Sequence, residues 1–136
     1  MLVHNLNCGP LVLGIGEHSD ALAKDIEGAY TFNGDEYAQV IGQVNGKPYA
    51  QWQAEVSNVL RNNGKVAISL KGFDGANPSE RLMNAYKAGR GNDWKATQWE
   101  MGQVGIQVQS GNLDWGNITF YGGDGGIVDV PKPEGW

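Results

Sequence analysis

Three short apolar runs, each followed closely by glycine, constrain the fold of this chain more than any other feature. The predicted strands cover Leu11 to Gly14, Lys65 to Leu70 and Ile118 to Tyr121. Leu11 to Gly14 is a continuous apolar run, which is typical of a strand that is buried on both faces, and we expect Lys65 to Leu70 to be a buried strand as well. Such strands occur in sheets that carry helices on both sides. The runs therefore predict an α/β core.

Segments with helical periodicity lie between the predicted strands. Ser19 or Asp20 can cap the first helix, because a short side-chain oxygen accepts hydrogen bonds from the amides of the first turn. Asn77 and Pro78 give a later helix a similar start. The segment from Trp99 to Gln109 fits a helix or a strand, and we choose a helix although it contains two interior glycines. The predicted helices cover residues 21–27, 49–60, 78–88 and 99–109.

The remaining segments complete the expected topology. Ala29 to Phe32 predicts a further strand. Asp35 to Pro48 is either a small hairpin that turns at Asn45–Gly46 or an irregular insertion, and Asp129 to Trp136 is a tail. Strands that alternate with helices form parallel sheets with right-handed crossovers. We therefore predict an α/β fold with a mostly parallel, Rossmann-like sheet of about four strands flanked by helices.

Composition narrows the classes of function. Ten Lys or Arg against fifteen Asp or Glu give a net charge of -5, which opposes nonspecific binding to duplex DNA through its phosphates. A single cysteine, Cys8, cannot form an internal disulfide, and with only two histidines we predict no metal site. No apolar run reaches the length of about 20 residues that spans a bilayer, and residues 1–10 lack a signal-peptide pattern. We expect no membrane insertion by this domain and expect its export machinery to lie elsewhere.

Glycine follows each predicted parallel strand at its carboxyl end, where open α/β sheets bind ligands. Gly14, Gly16 and Ser19 have nearly the spacing of a dinucleotide-binding loop, beside the start of a predicted helix that can receive a phosphate. Asp35 lies close to the distance expected for a ribose-binding acid. These residues are our candidate nucleotide-binding set. The alternative is that the glycines form tight turns and that Asp35 is a turn residue.

Four side chains are candidates for acid–base chemistry. Glu17 can orient the imidazole of His18 for proton transfer, although the pair also fits a solvated loop. Asp74 follows a predicted strand, and Glu100 adjoins a tryptophan whose burial would raise the pKa of the carboxyl group. Cys8 would need His18 to act as a nucleophile, and its position in the segment before the first strand favours a linker or packing role.

The first residues resemble the end of a Hint or intein module. Val3, His4 and Asn5 match its β-branched residue, histidine and terminal asparagine. In that family the asparagine amide attacks its own peptide carbonyl with help from the histidine, and the downstream chain leaves. Leu6 stands where splicing would need Cys, Ser or Thr, so the resemblance implies cleavage alone. We therefore expect residues 1–5 to be a remnant of an upstream module and residues 6–136 to be the effector domain.

The body of the chain is similar to the toxin domains of bacterial polymorphic toxins, and we identify it with the type 27 family. The resemblance rests on four segments of the sequence: residues 8–16, 65–70, 99–101 and 114–118. It implies an exported effector that acts in the cytoplasm of a target cell and is neutralised by a cognate immunity protein. It implies no particular reaction.

The residues leave three classes of function open and specify no cofactor. The first is an enzyme, a hydrolase or transferase, that acts on a nucleotide or an NAD-like cofactor; it accounts for the glycines and tolerates the acidic charge. The second is a nuclease that cleaves RNA or DNA with His18 and carboxylates, which the charge balance opposes. The third is a toxin without enzymatic activity that binds a target-cell protein.

Overall fold

The computed structural model describes residues 9–32, 43–44, 47–92 and 94–136 of the chain. The expectations for residues 1–5, for Cys8 and for Asp35 lie outside the described residues. None of the helices in the described ranges has the length and apolarity needed to cross a bilayer.

A four-stranded sheet forms the centre of the fold, in the order β1-β4-β5-β6. Its first three strands run parallel and β6 pairs antiparallel with β5, so the sheet is mixed and mostly parallel. The α/β class is thereby confirmed. A separate antiparallel pair, β2–β3, flanks positions 45–46 and agrees with the hairpin alternative. The strands are β1 Leu11–Leu13, β2 Gln43–Val44, β3 Lys47–Pro48, β4 Val66–Ser69, β5 Ile118–Tyr121 and β6 Ile127–Val128.

Helices cover both faces of the sheet. Val12 and Ala67 point to the face that packs against Leu22 of α1. The opposite face of β1 and β4 packs in the main core with Trp52 of α2 and Trp99 of α4, whose rings lie 4.8 Å apart. Every residue of β1 and β4 is consequently buried, as their unbroken apolar runs predict. The helices are α1 Gly16–Asp25, α2 Tyr49–Arg61, α3 Pro78–Gly89 and α4 Ala96–Gln109.

The start of α1 corrects the sequence prediction. The helix begins at Gly16, with Ile15 in extended conformation at its N-cap and no side-chain cap bond. Ser19 therefore lies in the first turns rather than at the cap, and its backbone N–H donates to the Ile15 carbonyl at 2.8 Å. The prediction was wrong because it read the glycines as a loop, whereas Gly16 accepts helical backbone without the help of a polar cap.

The predicted strand at residues 29–32 is reduced to a single bridge. Only Tyr30 pairs with β1, through bonds from the Val12 N–H to its carbonyl (2.8 Å) and from its own N–H to the Pro10 carbonyl (3.1 Å). The fourth strand of the sheet is instead β6, which follows the glycine turn after β5. Its two residues are too few for a hydrophobic pattern to reveal.

The helix assignment for residues 99–109 is confirmed, and α4 begins three residues earlier than predicted. Its glycines are explained by the close approach of α3. A Cβ on Gly89 would collide with the Gln98 carbonyl oxygen, and one on Gly102 would lie 3.1 Å from the Gly89 backbone. A Cβ on Gly105 would overlap the Tyr86 ring. The glycines thus cost helix propensity but allow the two helices to touch along their backbones.

Candidate functional site

The chain reverses its direction across the sheet at β1. From β1 it passes through α1 to Tyr30 at one edge of that strand, and later through α2 to β4 at the other edge. In open α/β sheets the point at which the strand order reverses leaves a crevice at the carboxyl ends of the two strands. The crevice between β1 and β4 is therefore where a ligand site is expected.

A cavity of about 1020 Å³ occupies this position; we call it the large cavity. Ile15 and Gly16 after β1 form one part of its wall, and Gly72 to Asp74 after β4 form another. The opposite wall is the segment from Trp94 to Gln98, which leads into α4. The residues that line the cavity include two aromatic side chains, Phe73 and Trp94, and the positively charged Lys95.

Side chains of α4 hold the peptide groups of Gly14 from below the large cavity. The Thr97 hydroxyl donates to the Gly14 carbonyl at 3.1 Å, and the Gly14 N–H donates to the Glu100 carboxyl group. Gly14 has a φ of 146°, and a Cβ there would approach the Ser69 carbonyl oxygen to 2.9 Å. Glycine is thus required at position 14 by conformation and by space, and α4 fixes the loop that follows β1.

Glu100 is the most perturbed acid of the site. It is 5% exposed, and its Oε1 atom has no hydrogen-bond partner among the described residues. Burial raises the pKa of this carboxyl group well above its ordinary value, and the hydrogen bond from Gly14 lowers it by less. Glu100 therefore keeps its proton to a higher pH than a solvated glutamate does. Glu100 is not part of the cavity wall; it contacts Gly14, the residue that precedes the wall residues Ile15 and Gly16.

The predicted phosphate loop is only partly assembled. Gly16 lines the large cavity, and a Cβ on it would meet no atom within 4 Å, so space is open in front of it. Ser19 is 1% exposed, donates its hydroxyl proton to the Gly16 carbonyl at 3.1 Å and lines neither cavity. The structure thus brings Gly16 to the crevice, buries Gly14 beneath the loop without placing it in either cavity wall, and places Ser19 within α1.

His18 and Glu17 lie on the other side of the β1 loop. The His18 Nε2 atom is 3.9 Å from a Glu17 carboxylate oxygen; the Glu17 side chain is 81% exposed and that of His18 24%. His18 lines a second cavity of about 210 Å³ between α1 and the turn after β5, which we call the small cavity. Ser69 and Lys71 at the end of β4 face the same space.

The predicted acid–base residues occupy separate places. Asp74 is exposed at the wall of the large cavity, where its backbone carbonyl accepts a hydrogen bond from the Asn84 amide at 3.2 Å. Glu100 is buried below that cavity, and His18 faces the small one. No cluster of three or more His, Cys, Asp or Glu that could hold a metal ion occurs within the described part of the chain.

Sequence reasoning missed the contribution of Trp94 and Lys95. Both precede α4 and join the site because α3 and α4 pack together and turn the start of α4 towards the ends of β1 and β4. Phe73 carried a usable signal, since an aromatic residue directly after a buried strand lies at the ligand-binding edge. Asp114, by contrast, is structural: its carboxylate accepts from the Asn63 amide at 3.0 Å.

No family model matches the chain, and neither a curated protein nor a solved structure shows significant similarity to it.

Proposed function

We propose that this chain is the effector domain of a bacterial polymorphic toxin and that it is an enzyme acting on a nucleotide or an NAD-like cofactor. The observation that carries the chemical part of the proposal is the large cavity at the reversal point of the sheet. Its volume of about 1020 Å³ is at the upper end of the range for small-molecule sites, roughly 300–1,000 Å³. We further propose that the sheet is used in the Rossmann-like manner, with phosphate at the first loop.

The walls of the large cavity suit the parts of a nucleotide. Trp94 and Phe73 offer apolar ring surface for a base. Gly16 is the first residue of α1 and lines the cavity, so the positive end of the helix dipole lies at the cavity wall, where a Cβ on Gly16 would meet no atom within 4 Å. Lys95, exposed at the opposite wall, adds a cation for phosphate oxygens.

The proposed roles of the polar residues follow from their positions. Asp74 stands at the cavity wall, where its exposed carboxylate can accept a proton from an attacking hydroxyl or water. His18, with Glu17 as its neighbour, is the proton carrier on the side of the small cavity. Glu100 is a positioning residue: it keeps Gly14 in the left-handed conformation from which Gly16 faces the ligand.

The biological part of the proposal rests on the resemblance of the sequence to polymorphic toxins. It includes export from the producing bacterium, release at the Val3–His4–Asn5 end, action in the cytoplasm of the target cell and neutralisation by an immunity protein. A toxin that depletes a nucleotide pool would do so inside its own producer as well, so the proposal includes a protective partner.

Induced expression of the chain in bacteria, with and without the neighbouring gene, tests this function. We expect growth to stop, one nucleotide or dinucleotide pool to collapse first, and the neighbouring gene to prevent both effects. Gly16→Val should abolish the collapse, because its side chain enters the open space in front of the first loop. Degraded RNA or DNA with intact nucleotide pools would replace the proposal with a nuclease, and arrested growth with both intact would replace it with a protein-binding toxin.

A further inference from the structure

The large and small cavities are separated by a single width of backbone. Gly16 lines the large cavity and His18, two residues later in α1, lines the small one. After β4, Gly72 lines the large cavity and its neighbour Lys71 lines the small one. Two pairs of neighbouring residues thus form a ridge between the cavities.

The crest of this ridge carries no side chain at Gly72. Its φ of 84° is left-handed, and a Cβ there would lie 2.7 Å from Ile15 Cδ1 and 3.5 Å from His18 Cδ2. A side chain at this position is therefore opposed by strain and by collision. Gly72 is also exposed, so a bound molecule can contact the ridge there, beside the side chains of Ile15 and His18.

The sizes of the cavities indicate that the small one is part of a larger site. Its volume of about 210 Å³ is below the roughly 300 Å³ at which independent ligand pockets begin. The large cavity, with about 1020 Å³, lies at the upper end of the same range. Together they fit a ligand with two unequal parts.

The small cavity is polar in a way that matches a phosphorylated sugar. Ser69 is 4% exposed, and in the described chain its hydroxyl oxygen accepts from the Lys71 N–H at 3.4 Å, which leaves its own proton available to a ligand. The exposed Lys71 side chain supplies a cation. Asp25 and Asp124 at the rim supply acceptors for hydroxyl groups.

We propose that the two cavities form one site for a dinucleotide, that is, two nucleosides joined through a pyrophosphate. One nucleoside packs against Phe73 and Trp94 in the large cavity. The pyrophosphate crosses the ridge at the exposed Gly72, past the side chains of Ile15 and His18 and beside the first turn of α1. The second nucleotide half faces Ser69 and His18. This inference rests on the proposed function and narrows its substrate from nucleotides in general to dinucleotides.

Three glycines provide a matched set of variants. Gly16 lines the large cavity, Gly123 lines the small cavity, and Gly116, in the turn before β5, lines neither. At all three a Cβ would meet no atom within 4 Å, and none has left-handed backbone. Valine at each position therefore adds the same side chain without a built-in collision, and its effect reports what the neighbouring space is used for.

The test is calorimetric titration of the full chain with NAD, AMP and nicotinamide mononucleotide, with ligand integrity checked after each run. We expect NAD to bind at least about tenfold more tightly than either half, because the linked halves bind as one. Gly16→Val should weaken both NAD and AMP. Gly123→Val should weaken NAD about tenfold and leave AMP unchanged, and Gly116→Val should change neither.

Lys71→Gln is the second probe of the small cavity, and melting curves of all variants identify any that fail to fold. We expect this exposed substitution to weaken NAD several-fold without an effect on AMP. If NAD and AMP bind equally and both Gly123→Val and Lys71→Gln are silent, the two-part site is wrong and nucleotide binding in the large cavity stands. If none of the three ligands binds the parent chain, this inference is overturned, and the proposed function is then decided separately by whether induced expression collapses any nucleotide pool.

Discussion

Among single residues, Glu100 differs from Glu17 and Asp74 in that its carboxyl group is buried while theirs are exposed. A buried carboxyl group with an unpartnered oxygen is stable only in its protonated form or with a compensating donor. Gly14 supplies one donor, and the pKa of Glu100 remains raised. The residue thus holds the loop after β1 in place at an energetic cost that depends on pH.

The pH dependence of stability should reveal this cost. Because burial raises the folded-state pKa of Glu100, the folded chain binds more protons than the unfolded chain above the ordinary pKa of glutamate. The stability that the protonated Glu100 contributes is complete below the ordinary pKa of glutamate and is lost as pH rises through the folded-state pKa of Glu100. The loss is no more than about 1.4 kcal/mol per pH unit. Glu100→Gln imitates the protonated acid, so its stability relative to the parent should increase from pH 4 to pH 8.

Urea unfolding of both proteins at each pH measures this difference. Glu134→Gln, the same chemical change at an exposed position, is the control and should follow the parent curve. Parallel curves for Glu100→Gln and the parent would mean that the ionised Glu100 carboxylate is no less stable in the folded protein than in water.

At the scale of elements, the sequence was informative where one segment determines its own structure. The apolar runs of β1 and β4 predicted buried strands, and helices cover both faces of these two strands. In β5 only alternate residues are fully buried. The cap of α3 was also readable, since Asn77 accepts a hydrogen bond from the Glu80 N–H at 2.8 Å. By contrast, α1 starts without any polar cap, so its beginning had no local signal.

Part of the candidate site could likewise be predicted from the sequence, and part could not. Its edge was predictable, because the carboxyl ends of parallel strands meet in space and glycines mark them. The wall from Trp94 to Gln98 was not, because it depends on how α3 and α4 pack. The burial of Glu100 and the exposure of Asp74 likewise result from tertiary packing, which no short pattern encodes.

The contact between α3 and α4 is therefore expected to control the large cavity. Gly89→Ala would gain roughly 1 kcal/mol or less in helix propensity but would drive a Cβ into the Gln98 carbonyl oxygen. Overpacking against backbone costs about 1–3 kcal/mol, so we expect net destabilisation and a Tm lower by several degrees. Gln98 and Ala88 both line the large cavity, so nucleotide affinity should fall as well.

Gly91→Ala is the matched control, because a Cβ there would lie 3.4 Å from the Ala88 carbonyl oxygen, an ordinary contact. Thermal melts and AMP titrations of both variants decide the matter. Unchanged melting and binding for Gly89→Ala would show that the helices can separate without cost and that their contact does not set the width of the cavity.

For the whole molecule, the net charge of -5 determines the long-range electrostatic field that an approaching partner experiences. Several acids stand near the ligand edge of the sheet, among them the exposed Glu17, Asp74 and Asp124. A field of this sign repels free polynucleotide, while a small anion held by directed donors such as Lys95 and the start of α1 is still accommodated. The same field attracts a partner of opposite sign.

We expect the proposed immunity protein to use that attraction and to cover the mouths of both cavities. A stable interface of the usual size buries about 1,600 Å². Its rim should carry basic or polar groups, so the association rate should fall steeply as salt is raised from about 0.01 to 0.15 M, since the screening length then shrinks from about 30 to 8 Å.

Stopped-flow association of the chain with the product of the neighbouring gene measures this, and calorimetry of the purified complex should find no nucleotide binding. Gly116→Val, remote from both cavities, should associate as the parent does. A complex that still binds nucleotide, or an association rate indifferent to salt, would place the immunity protein on another face of the molecule.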